Sequence, residues 1–222
     1  MKYGFTYYDI IALIIPGFIF LAFCVFLYDG PGAEYIQKLA NGGFAESLLA
    51  VISSYVAGEI LQSYSKILIE KPVFHSICKG MPYVWVFNAL KIKSTKAEKD
   101  KALKVCSPED LKKLRYNPVI SSLKSKSAFI HHIRFTASSV EHQLYELNKS
   151  LSQANMFRGL SLVSIIACYM YFISHFKDFS TPFKIEKLIP YTLFLTFFII
   201  SVYRYYTFTI NYTKRAIAYY CK

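Results

Sequence analysis

Four stretches of this chain are apolar over lengths that suit a bilayer. Residues 8–27 (YDIIALIIPGFIFLAFCVFL) carry one charge, Asp9, at their start. Residues 44–69 form a second and more polar run, and 157–176 and 188–207 a third and fourth. About 20 helical residues rising 1.5 Å each cross a hydrocarbon core of roughly 30 Å, so the pattern predicts four transmembrane helices. The first run is longer than the roughly 7–15 apolar residues of a signal-peptide core, so it is expected to be retained.

A different periodicity sits just before the third run. Ile130, Ile133, Ala137, Val140, Leu144, Leu147, Leu151 and Ala154 follow one another at alternating spacings of three and four. This is the a/d seam of a helix packed along one narrow stripe. It predicts a single helix over 128–156 that continues into the third span, with Arg158 next in the series at the membrane boundary. The seam fits two partners, another copy of the chain or the 107–125 region of the same chain. Upstream, Thr95 with Glu98 spells a capping box, and Ser107 followed by Pro108 and Asp110 spells a second helix start. The expected fold is an all-α membrane protein with four transmembrane helices and a small cytoplasmic helical domain continuous with the third span. Its divisions are 1–69 for the first helix pair, 70–156 for the cytoplasmic domain, and 157–222 for the second pair and a tail.

Laid on a helix turning about 100° per residue, the second run is two-sided. Ser54, Gly58, Gln62 and Ser65 share a side with Tyr55, Glu59 and Lys66, and Leu49, Ile52, Val56, Ala57, Ile60 and Leu61 take the other. Polar groups in lipid need a protein or water partner. Either Glu59 meets Arg158 or Arg204 within one bundle, with Ser54 and Gly58 allowing close packing, or the side lines an aqueous path between subunits. The candidate intramembrane polar residues are therefore Ser54, Tyr55, Gly58, Glu59, Gln62, Arg158 and Arg204.

Charge adds an orientation. The chain has 26 Lys and Arg against 14 Asp and Glu, a net +12, with 54% hydrophobic residues and a mean hydropathy of +0.30. From Lys66 to Arg158 there are 17 basic against 7 acidic residues, a net +10, whereas the connections at 29–43 and 177–187 are near neutral. By the positive-inside tendency, the long segment and both termini face the cytoplasm. The five cysteines, at 24, 78, 106, 168 and 221, form no CxxC pair and read as reduced thiols.

The basic segment mixes cations with aromatic rings: Tyr83 and Trp85, then Lys112 and Arg115, then Lys124, Lys126, His131 and Arg134. Such a mixture can hold phosphates and stack bases, and it equally suits an anionic lipid surface or a protein partner. The run from Lys91 through Lys93 to Lys104 reads as a solvated face or a contact to anionic lipid. His75 and Cys78 stand three apart without further ligands fixed near them, so no metal site is expected. There is no G-x-S-x-G, HExxH or P-loop, and Arg134 and His142 are too far apart for a HEPN nuclease motif. His175 and Asp178 lack a partner nucleophile. No enzyme activity and no cofactor are expected.

The order YYDIIALIIPGFIF, then SYVAGEILQS, then a basic insertion ending in NMFRGLSL resembles small four-span bacterial membrane proteins, some of them encoded beside anti-phage or CRISPR components. The resemblance implies a multi-pass protein of the bacterial inner membrane that serves as an effector or accessory subunit in antiviral defence. Two functions follow as expectations. The first is an oligomeric, channel-like effector or sensor (a tetramer or larger) with a pore, gated through a basic domain that binds an anionic nucleotide or oligonucleotide. The second is a non-conducting anchor that recruits a soluble protein partner to the membrane.

Overall fold

The computed structural model describes residues 7–27, 43–78, 80–91, 94–137, 139–175 and 188–222, all of them helical or in short connections between helices. The connecting stretches at 29–42 and 177–187, Lys93, and the side chains of His75 and His175 lie outside the described residues. The chain divides into two compact units, residues 1–70 with 155–205, and residues 71–154 with 206–222.

The first unit holds the apolar helices. These are α1 (Tyr7–Leu27), α2 (Phe44–Ser65), the later part of α8 (Glu141–His175) and the earlier part of α9 (Leu188–Cys221). Among the described residues, four helices are long and apolar enough to cross a membrane, so the protein is a multi-pass helical membrane protein. Leu48, Ile52, Val56 and Ile60 of α2 and Leu193, Phe197 and Ile200 of α9 are all exposed, as a lipid-facing surface requires. Phe23 meets Phe194 edge-on at 5.0 Å and Tyr171 meets Tyr191 at 5.1 Å, which ties α1, α8 and α9 together by their rings.

The second span is longer than its apolar run. Beyond α2 the helix widens into a π-helical segment, Lys66–Ile77, that contains Pro72. Proline supplies no N–H, which disturbs a regular ladder. Here the register shifts outward, and the Cys78 N–H reaches the Val73 carbonyl at 2.9 Å. Gly80, at φ +118°, turns the chain out of it.

The second unit is built from short helices that start where the sequence places their caps. They are α3 (Pro82–Leu90), α4 (Lys96–Leu103), α5 (Pro108–Tyr116), α6 (Pro118–Ser122) and α7 (Lys126–Ala137). Thr95 and Glu98 form both halves of their capping box, and the Ser107 hydroxyl accepts from the Asp110 N–H at 3.1 Å. Val86, Leu114, Phe129, Ile133, Leu147 and Ile217 meet in one core. The net charge falls entirely on the second unit. The second unit has 18 Lys and Arg against 6 Asp and Glu, a net +12, and the first has 8 against 8, a net of zero.

Two expectations need correction. The seam over 128–156 is not one helix, because α7 stops at Ala137 and α8 begins at Glu141. Ser138, Ser139 and Val140 are poor helix formers, and the Ser139 N–H closes a turn on the Thr136 carbonyl at 3.2 Å. Val140 is 50% exposed, so its seam position is not used. The helix from Glu141 does run on unbroken through the third span. The C-terminal residues are not a tail either. α9 continues to Cys221, its Tyr212, Ala216 and Ile217 entering the second unit's core. Arg215 holds Glu146 at 2.7 Å and the Ser150 hydroxyl at 3.1 Å.

Candidate functional site

Two constellations, one in each unit, collect the residues singled out by sequence. In the membrane unit the polar side of α2 is turned into the protein. Ser54 is 1% exposed, and its hydroxyl donates to the Ala50 carbonyl at 2.7 Å within its own helix. A Cβ added at Gly58 would lie 2.1 Å from the Leu13 carbonyl oxygen, and one at Gly17 would lie 1.8 Å from that of Ser54. The small residues thus let the α1 and α2 backbones touch.

One turn on, Gln62 is buried and donates through Nε2 to the Asn155 carbonyl at 2.6 Å. Its Oε1 accepts from Arg158 Nη2 at 3.0 Å. Arg158 Nη1 pairs with Glu70 Oε2, and the same oxygen accepts from the Tyr205 hydroxyl at 3.0 Å. The guanidinium also stands 5.9 Å from the Tyr205 ring centre. Charge is neutralised inside the unit, and the cluster ties the second span to α8 and α9. Arg158 therefore meets Glu70, not Glu59. Glu59 is exposed on the apolar face with the Tyr55 hydroxyl donating to it at 3.4 Å, and Arg204 is exposed on α9.

In the second unit the sequence-predicted ligand residues separate. Trp85 is buried, with Lys101 5.8 Å from its ring, so it offers no stacking face. The Arg134 guanidinium lies 5.5 Å from the Tyr212 ring. Lys112, Lys126 and His131 are exposed and Tyr83 is half-buried, and none of them lines the groove described next. Arg115 and Lys124 do come together, on a groove of about 900 Å³. Lys91 and Lys99 complete its rim. Sequence reasoning assigned those two to a solvated run, yet the helix boundaries carried a signal. Lys91 follows the last residue of α3 and Lys99 sits one turn into α4, which the Thr95 cap fixes.

Electrostatics here follow local contacts. The Thr95 N–H beside Glu98 holds its carboxyl below the ordinary value, with Lys91 adding to the effect. Burial pushes the Cys106 thiol up to about 12, helped by the Asp110 carboxylate, so it is protonated and unreactive near neutrality. Burial raises Cys78 too, partly offset by Lys101. Among the described residues no three His, Cys, Asp or Glu side chains gather to hold a metal ion.

No family model, curated protein or solved structure matches this chain.

Proposed function

We propose that this protein is a membrane-anchored receptor, held in the bilayer by four spans, whose basic unit binds an anionic ligand and presents the occupied state to a soluble partner. The observation that supports an anchor over a channel is the fate of the α2 polar side. Ser54, Gly58 and Gln62 are consumed by contacts to α1 and α8 within one chain, so they are not left to line a path. The groove rimmed by Lys91, Lys99, Arg115 and Lys124 supports the receptor part. The resemblance to small four-span proteins of anti-phage systems supports an accessory role in bacterial defence.

One feature favours the second reading, an oligomeric channel-like effector. Glu59 is exposed midway along the second span beside exposed Val56 and Ile60. A carboxylate facing lipid costs about 2.5–3.5 kcal/mol at the bilayer centre, and a ring of copies around water would remove that cost. Ion flux into vesicles carrying the purified protein separates the two. The anchor reading expects flux no greater than bare vesicles, with or without a polyanion. Flux that is present in the wild type and lost on Glu59→Leu would establish the channel instead.

A further inference from the structure

The basic groove of the second unit has a chemistry more specific than positive charge. Its four cations come from four separate places: the end of α3, α4, α5 and the residue run after α6. Folding, not a local run of lysines, brings them together. Among the described residues no Asp or Glu lines the groove. Glu98, which lies within reach of the Lys91 charge, has its carboxylate committed to the Thr95 N–H and hydroxyl at 2.9 and 3.1 Å.

Half-buried Leu90 and Leu123 leave part of the lining apolar, while the remaining large side chains of the floor are buried. Leu114 is 0% exposed, Ile120 5% and Phe87 7%, so these side chains are already spent in the core. Among the described lining residues the one ring, Phe87, is buried, with Lys91 Nζ 5.2 Å from its centre, and so offers a base no open face. Arg115 is aimed by a hydrogen bond from Nη2 to the Ala89 carbonyl at 3.1 Å. A guanidinium has five donors, so this anchoring spends one of them. A space of about 900 Å³ exceeds what one phosphate needs and lies within the usual range for small-ligand sites.

We infer that this groove binds an oligophosphate group, recognised by its linked charges and without contacts to a base. The inference rests on the receptor reading above and specifies its ligand. An inorganic phosphate chain and the polyphosphate end of a nucleotide present the same chemistry. Binding of either relieves the mutual repulsion of the four cations, so the ligand also stabilises the second unit.

The test uses the full chain in nanodiscs of neutral lipid, with calorimetric titration of inorganic tripolyphosphate, ATP and polyglutamate. Tripolyphosphate and ATP are expected to bind with Kd values within about threefold of each other, and the affinity to fall steeply with salt, as phosphate–cation contacts do. Replacing Lys91, Lys99, Arg115 and Lys124 together by Gln should weaken tripolyphosphate at least about tenfold, the scale of several lost charge contacts. A matched control, Gln at Lys96, Lys104, Lys112 and Lys126, removes the same charge outside the groove and should leave binding nearly unchanged. The single changes Arg115→Gln and Lys124→Gln, at exposed positions, serve if the fourfold variant does not fold. Equal losses in the fourfold variant and its control would overturn the site, leaving diffuse charge. ATP binding more than about tenfold tighter than tripolyphosphate would overturn base-free recognition. If only polyglutamate binds through the groove, the phosphate assignment fails while the receptor reading survives. If none of the three anions binds, both fail.

Discussion

Adding a methyl group at Gly17 would place a carbon 1.8 Å from a backbone oxygen of the neighbouring helix, and at Gly58 2.1 Å from one. Neither neighbour is a side chain able to swing away, so the helices must part. Gly17→Ala and Gly58→Ala are each expected to cost about 1–3 kcal/mol or more, the range for overpacked cores. Denaturant unfolding of the detergent-solubilised chain reads the loss. Ser54→Ala should cost far less, because that hydroxyl bonds only within its own helix. A second prediction concerns the Arg158–Glu70 pair, whose side chains are 12% and 17% exposed. Arg158→Leu or Glu70→Leu alone should cost about 3 kcal/mol by stranding a charge, and the double change should recover much of it. A double-mutant cycle showing simple additivity would remove the pair from the account. Sequence reasoning found Arg158, Gln62 and the need for a counter-charge. It chose the wrong acid because Glu70 lies just past the end of the apolar run, and only the π-helical extension keeps it in the helix.

At the scale of elements, caps were the most legible feature, since an N-cap is chemistry between residues three apart. Thr95 and Glu98 close their box as expected. Glu98's carboxyl is held below its ordinary value of 4.5, so its contribution to stability is fully present above that pH and is lost as pH falls through the lower, folded-state value. Thr95→Ala should therefore lower the melting temperature at pH 7, and the gap to wild type should shrink as the pH is lowered below 4.5 and through the depressed, folded-state value. A gap independent of pH would mean the hydroxyl alone makes the cap. The seam was legible as spacing but not as continuity. Val140 occupies a correct a/d position, yet α7 ends at Ala137 and α8 begins at Glu141, and periodicity does not register an interruption that preserves the spacing. α9 failed in the opposite way. Lys214 and Arg215 look like tail charges, while Tyr212, Ala216 and Ile217 form the apolar side of a helix still in progress.

Over the whole molecule the decisive division is electrostatic: one unit carries a net +12 and the other zero. The bulk of it was visible as the +10 segment between the second and third spans, but the share held by residues 206–222 was not, because their membership in the basic unit depends on tertiary packing. That membership has a topological consequence. Residues 71–154 and the C-terminal end of α9 share one core, so they occupy the same side of the membrane. Four crossings would place the N-terminus on that side as well. Anionic lipid and the positive-inside tendency favour retention of so basic a unit on the cytoplasmic face. Fusing green fluorescent protein or alkaline phosphatase after Lys222 is expected to give bright fluorescence and no phosphatase activity in a bacterial host, and an insertion between the exposed Ser139 and Val140 should report the same side. Opposite sides for the two positions would contradict the shared core. Agreement on the periplasmic side would leave the core intact and show that charge does not set the orientation of this chain.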